Sequence, residues 1–414
     1  MIIMEMKTAY TVVQNAVAQA MGATYMEKSG DISALGSSKM IDIGEDIDKA
    51  GSLDTVYSGL ISQISDIEIN NRPYTGDLND IMVKDYEWGG FTERVGFDLA
   101  TIIDDPKWNL AANFASGITD YSVAEHKFYP STVSSKAFIE AKGIQVPLSK
   151  PADQLKEAFS GWEQMNRFLS GIETTIGNTI EMGITSFRHM LVQCGIAITT
   201  GTLLNSGRGT AVHLLDLTDA AGITTATDTA ASVLSNSQAI AYIMQIIKQT
   251  RDNMGIFSKA FSSGAFATFT PKEDNKLILL SSFENACKFQ VRANTFNEEL
   301  IGVGTYETTP SWQGIASSDA SAFDFKNTSR IMIAQDTSDT TDKLKIGLNL
   351  SPFIKDYCIG FMYDRKALGI CPFKKKVTST YTANADFFNT YYHVLLNTII
   401  DPRFGMTSFF LDRE

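Results

Sequence analysis

One apolar stripe of unusual length constrains this chain more than any other feature. Met165, Phe168, Leu169, Ile172, Ile176, Ile180, Ile184, Phe187 and Leu191 recur at spacings of three and four, the period of a helix with one buried face. At 1.5 Å per residue the stripe predicts a helix of roughly 40 Å. It lacks the sustained heptads of a coiled coil. Gly171, Gly177 and Gly183 fall inside it, and each costs about 1 kcal/mol relative to alanine in a helix interior. A helix that tolerates them is held by packing, not by propensity.

The residues before the stripe read as a shorter helix. Pro151 sits at its first position, Asp153 in its first turn, and Leu155, Phe159 and Trp162 on its apolar face. Further upstream, Phe91, Val95, Phe97 and Leu99 alternate in part with polar residues, as do Ile144, Val146 and Leu148. Tyr121 to Lys150 is rich in β-formers, with a turn candidate at Pro130-Ser131, and reads as a long two-stranded loop. Two strands with so little core of their own are unstable alone. They must rest on something, and a neighbouring subunit is the natural candidate.

The N-terminal part predicts a mobile arm with two docking helices. Val13, Val17, Ala20 and Met21 mark the first, and Val56, Leu60, Ile64 and Ile67, capped by Ser52, the second. An acidic loop, Asp42 to Asp48, lies between them. After the long helix a Thr/Ala/Gly/Ser-rich stretch runs to Ser235, broken by the apolar patch Val212 to Leu217. A helix follows with Ile240, Ile243, Met244 and Ile247 inward. Thr270-Pro271-Lys272-Glu273 reads as a capping box with proline at the first helical position. A strand at Leu277–Leu280, a helix near Phe283–Ala293 and strands at Arg330–Ala334 and Ile359–Tyr363 come next. The tail from Val377 is aromatic-rich and strand-like. This alternation argues for a mixed lobe of strands and helices.

Composition narrows the function. The chain has 414 residues, 44% hydrophobic and 20% charged, with a formal net charge of −12. It is long enough for two or three lobes. A protein that grips nucleic acid regardless of sequence needs a positive footprint, and only Lys374-Lys375-Lys376 is densely basic. That run reads as a solvated or inter-subunit patch. The four cysteines, Cys194, Cys287, Cys358 and Cys371, form no C-x-x-C pair and read as buried free thiols of a reducing compartment. Met1 to Lys7 does not start a secretory signal, and the apolar stretch Met190–Ser206 is too short and too polar to span a bilayer. No membrane association is expected.

Catalytic signatures are missing. Gly207-Arg208-Gly209-Thr210 lacks the lysine of a phosphate loop, and Gly302-Val303-Gly304 has no third glycine. No nucleophile elbow or zinc-binding helix motif occurs. The acidic group Asp42, Glu45, Asp46 and Asp48 lacks calcium-loop spacing, because Gly44 falls in the wrong place. His126, His189, His213 and His393 are scattered and read as partly buried structural histidines. No catalytic, cofactor-binding or metal-binding residue is assigned, and no cofactor is expected. The aromatic tail fills a core or an interface.

The order of elements resembles the major capsid proteins of tailed bacteriophages, above all those of short-tailed phages. Four passages carry the likeness. Ile144-Gln145-Val146-Pro147-Leu148-Ser149 leads through Gln154-Leu155-Lys156-Glu157-Ala158-Phe159 into the long helix. Val212-His213-Leu214-Leu215-Asp216-Leu217 precedes a helix ending near Arg251-Asp252-Asn253-Met254. Thr270-Pro271-Lys272-Glu273-Asp274 is followed by a strand, a helix and Ala293-Asn294-Thr295-Phe296-Asn297. Met362-Tyr363-Asp364-Arg365-Lys366-Ala367-Leu368-Gly369 closes a strand on a turn.

The resemblance implies an α+β fold of the HK-97 type. Its expected division is an N-terminal arm (1–70), an extended β-loop region (71–150), a spine helix and peripheral domain (151–204), an axial domain (205–360), and C-terminal strands returning to the core (361–414). It implies a non-enzymatic shell protein that associates with itself in many copies, as pentamers and hexamers, around double-stranded DNA. Scaffolding, portal and head-decoration proteins are its implied partners. The implied location is the virion, after assembly in the bacterial cytoplasm. The alternatives are the shell of an encapsulin-like cellular nanocompartment and a ligand-binding or enzymatic α/β protein.

Overall fold

The apolar stripe folds as one helix, α1 (Trp162–Thr199), of 38 residues, about 57 Å long. The structure, a computed structural model, describes residues 17–18, 76–82, 92–97, 133–138, 141–151, 162–201, 210–262, 267–294, 305–313, 328–333, 353–382, 384 and 387–413. In chain order the strands are β1 (Thr92–Phe97), β2 (Val133–Phe138), β3 (Ala141–Pro151), β4 (Val212–His213), β5 (Asn275–Leu280), β6 (Glu307–Thr309), β7 (Ile331–Ile333), β8 (Phe353–Lys355), β9 (Cys358–Asp364), β10 (Leu368–Thr382), β11 (Phe387–Ile400) and β12 (Met406–Phe410). The other helices are α2 (Leu214–Ala220), α3 (Ala230–Leu234), α4 (Ser237–Met254) and α5 (Ser281–Asn294). The architecture is α+β, as expected.

Ile172, Ile176, Ile180, Ile184, Phe187 and Leu191 are all buried, as the stripe predicts. Each contributes roughly 1.5–3 kcal/mol of transfer free energy. The sequence predicts a single buried face throughout. From Ser186 to Thr199, however, every side chain but that of Met190 is buried. Along its length the helix packs against β12, β3, β10, β11 and β7, and a segment enclosed on all sides has no solvent face. Gly195 makes this possible. A Cβ there would lie 2.8 Å from Phe361 Cζ and 3.2 Å from Leu368 Cδ1.

A five-stranded mixed sheet, ordered β4-β12-β9-β5-β6, forms the main body. Its middle strands β9 and β12 are buried at every position, which suits their nearly unbroken apolar sequences. A three-stranded antiparallel sheet, ordered β10-β11-β3, lies against α1. Along β11 burial alternates from Phe387 to Leu395, the pattern of a sheet with one covered face. Helices α4 and α5 pack on each other and, with α2 and α3, build a helical layer.

Several sequence expectations change. Pro151 does not open a helix. It ends β3, opposite Phe387, on the edge of its sheet, where a missing N–H costs no ladder bond. The two described strands within Tyr121–Lys150 do not pair with each other. β2 pairs with β1, and β3 pairs with β11. Thr270-Pro271 starts no helix either. The chain makes one turn, in which Asp274 N donates to Pro271 O (3.0 Å), and enters β5. The run Leu277–Leu280 needs two covered faces, and an inner strand supplies them. The capping box lies instead at Thr229 and Ser232, ahead of α3. The patch Val212–Leu217 divides into β4 and the first turn of α2. Val17 and Ala18 are helical, and Val17 is fully buried. The rest of the expected arm helices, the acidic loop, His126 and the glycine pairs near 207 and 302 lie outside the described residues.

Candidate assembly surface

Strands β1 and β2 form a two-stranded ribbon with Thr92 opposite Phe138 and Phe97 opposite Val133. Pleating sorts its side chains onto two faces. One face carries Arg94, Lys136 and Phe138, and it is docked. Arg94 donates to Lys366 O, lies 3.8 Å from Asp401 Oδ2, and stacks over the rings of Phe138 and Phe404. Lys136 Nζ donates to Ile400 O at 3.1 Å, and Phe138 is buried. Asp401 is the hub of this contact. Its fully buried carboxylate accepts from Arg403 Nε and Nη2 at 2.9 and 2.8 Å. Arg403 in turn donates to Arg94 O at 3.2 Å. The hydrogen bonds to Asp401 push the Arg403 pKa up.

The opposite face carries Val95, Phe97 and Val133. They are 54%, 70% and 52% exposed, and Phe97 and Val133 are direct cross-strand neighbours. The ribbon therefore uses its charged face to grip its own subunit and turns its apolar face outward. Contiguous exposed apolar side chains on a rigidly docked element mark a surface meant for another molecule.

The chain upstream of the ribbon is fastened to α1. Gly76 N donates to Glu181 Oε1 (3.3 Å), and a Cβ at Gly76 would strike the Thr185 side chain. Arg188, in a buried 3.2 Å ion pair with Glu181, donates to Asp77 O at 2.9 Å. Asp77 Oδ1 meets His189 Nε2 at 2.9 Å, and its Oδ2 accepts from Thr309 at 3.0 Å. Leu78, in a left-handed conformation (φ 58°), and Ile81 are buried beneath these contacts.

His213 and His393 have partners within the subunit. His213 Nδ1 meets Asp412 Oδ1 at 2.7 Å, and His393 Nε2 meets the Thr378 hydroxyl at 3.2 Å. All four cysteines are free and buried. Burial pushes the thiols of Cys194 and Cys287 up to about 12. Lys374 and Lys376 are exposed on β10, opposite Leu395 and His393. Among the described residues no three His, Cys, Asp or Glu side chains gather as metal ligands, and no helix is long and apolar enough to cross a membrane. Sequence reading missed Asp401, Arg403 and Arg94. Arg94 lies more than 300 residues from the other two, and only the fold reveals its link to them.

A model of the Phi29-like phage major capsid protein family matches residues 15–404. The chain belongs to that family. It is a shell-forming structural protein of a virion, with the non-enzymatic role the family implies, and it assembles in many copies. The match favours the phage shell over the nanocompartment and the enzyme. Among solved structures, the capsid of Staphylococcus phage Andhra is similar at 13% identity, covering 82% of this chain and 85% of that one, with a TM-score of 0.45. A structure of the head fiber and inner core protein of native bacteriophage P68 is similar at 12% identity over 82% and 85%, with a TM-score of 0.49. The capsid of Cyanophage P-SCSP1u follows at 10% identity over 81% and 88%, with a TM-score of 0.44. No curated protein matches the chain.

Proposed function

We propose that copies of this capsid protein associate as pentamers and hexamers into a closed icosahedral or prolate shell of the HK-97 type around double-stranded DNA. The ribbon's outward apolar face carries this reading. Val95, Phe97 and Val133 are held in place by the docked opposite face yet left more than half exposed by their own subunit. A neighbouring copy that covers them gains what folding alone leaves unburied.

The proposed division follows the chain: an arm (1–70), a region holding the extended ribbon (71–150), a spine helix with a peripheral domain (151–204), an axial domain (205–360), and C-terminal strands that return to the core (361–414). A net charge of −12 suits a container whose DNA must slide in and out, since a basic lining would hold it. Buried free thiols agree with assembly in the reducing cytoplasm of a bacterial host. Scaffolding, portal and head-decoration proteins are the further partners such a shell can take. Electron microscopy of the expressed protein, alone and with its scaffolding partner, tests the proposal. Shells or capsomer rings are expected. A monodisperse monomer under every condition overturns it.

A further inference from the structure

Glu307 opens β6, and its two carboxyl oxygens stand in unlike surroundings. Oε1 accepts from Asn79 N at 3.1 Å. Oε2 is buried, and no donor among the described residues reaches it. An ionised oxygen in that position has given up water without gaining a hydrogen bond, a cost that a proton on the carboxyl relieves. Asn79 belongs to the segment 76–82, a strap that Gly76 and Asp77 fasten to α1.

Charged and titratable groups face this carboxyl from several elements. The strap brings Asp77 and Asp80, whose negative charges both act on Glu307. β5 brings Lys276, but its Nζ lies 2.9 Å from Asp80 Oδ2 and is engaged there. β9 brings Tyr363, 1% exposed, whose hydroxyl also has no partner among the described residues. Burial, with the charges of Glu307 and Asp80, pushes the Tyr363 pKa up, so that it stays neutral. α1 brings His189, held on Asp77 Oδ1. Two more groups point elsewhere. Arg251 of α4 donates to the carbonyls of Thr305 and Asn275, and Glu284 of α5 accepts from the Tyr306 hydroxyl at 2.9 Å.

Both carboxylates that act on Glu307 are the strap's own, so lifting the strap removes them. We infer that Glu307 is a proton-operated latch for the strap: protonated, it lets residues 76–82 seat fully, and ionised, it drives them toward release. The direction of its titration agrees. Burial, with the charges of Asp80 and Asp77, outweighs the hydrogen bonds that Glu307 accepts and holds its pKa above the ordinary 4.5. The seated strap therefore favours the proton. This contribution to seating is full below about pH 4.5 and is lost as pH rises through the raised value. Asp77 works in the opposite sense, since its pKa is held down. The strap is then tightest in weak acid and looser at neutral pH. It lies in the chain between the expected arm and the ribbon, so acidity sets how firmly the chain ahead of the ribbon is held. The latch is a property of one subunit and does not depend on the shell-forming reading.

Hydrogen exchange of the full chain over residues 76–82, corrected for intrinsic rates, tests it. The wild-type strap should lose protection several-fold between about pH 5 and about pH 8 while β9 stays protected. Glu307→Gln keeps an acceptor for Asn79 N and carries no charge. It should be several-fold better protected than wild type at about pH 8 and close to it at about pH 5. Histidine ordinarily ionises in this range, but His189 is present in both chains and cancels in the comparison. Glu307→Ala, which lacks the acceptor, should be less protected than wild type at about pH 5. Protection of β9 shows that each variant is folded. A wild-type strap whose protection is the same at both pH values overturns the inference, as does a pH dependence that Glu307→Gln leaves unchanged.

Discussion

Asp77 joins two elements through one carboxylate, with His189 of α1 on one oxygen and Thr309 of β6 on the other. Burial opposes its ionisation, but the hydrogen bond and charge of His189, with the Thr309 hydroxyl, outweigh burial and hold its pKa below the ordinary 3.8. A folded-state value below the unfolded one gives stabilisation that is full above about pH 4 and is lost as pH falls through the folded value. Hydrogen exchange over residues 76–82 should therefore accelerate in acid below about pH 4, after correction for intrinsic rates. Asp77→Asn should already exchange fast at neutral pH and should lack the acid step. Gly195 offers a second single-residue test. Gly195→Ala forces a methyl against Phe361 and Leu368 and should cost about 1–3 kcal/mol by overpacking. Gly171→Ala, with nothing within 4 Å of its Cβ position, should gain up to about 1 kcal/mol of helix propensity. Chemical denaturation of the two variants should move in opposite directions.

At the scale of elements, the ribbon stays docked because Asp401 holds two guanidinium groups. Removing one member of a buried pair leaves uncompensated charge, worth about 3–5 kcal/mol. Arg94 is 21% exposed and can rehydrate, so Asp401→Ala should fall near the low end. The variant should also exchange faster across residues 92–97 while β9 stays protected, which separates a loosened ribbon from a weakened core. Elements whose own period decides them were legible in the sequence. The stripe of α1, the inward isoleucines of α4 and the apolar runs of β5 and β9 are examples. Pairing was not legible. Alternation at Ile144, Val146 and Leu148 announces a strand but says nothing of its mate, and β3 finds β11 more than 200 residues away. The capping signal at Thr270 was real as local chemistry, but an inner strand position outweighed it. The assembly surface was half legible. A partly alternating strand was readable at Val95 and Phe97, but its mate, and which face stays bare, depend on Arg94, Asp401 and Arg403, and only the fold brings these together.

For the whole molecule, the ribbon's apolar face should govern assembly and leave folding alone. Phe97 is 70% exposed, so Phe97→Asp removes little buried area from the subunit and should change its stability by no more than about 0.5 kcal/mol. On the proposed reading a neighbour covers the same ring in a shell, and burial of a phenylalanine is worth roughly 1.5–3 kcal/mol. Since 1.4 kcal/mol is a factor of ten in an equilibrium, the concentration at which particles appear should rise about 10–100-fold. Thr380→Asp, at an exposed site on β10, adds the same charge away from the ribbon and should leave that threshold near its original value. Light scattering against protein concentration reads both variants, and thermal unfolding checks that each remains folded. If Phe97→Asp assembles at the wild-type concentration, the ribbon face is not an assembly surface. If both variants fail alike, added negative charge on an acidic subunit is the cause, and not the lost apolar contact.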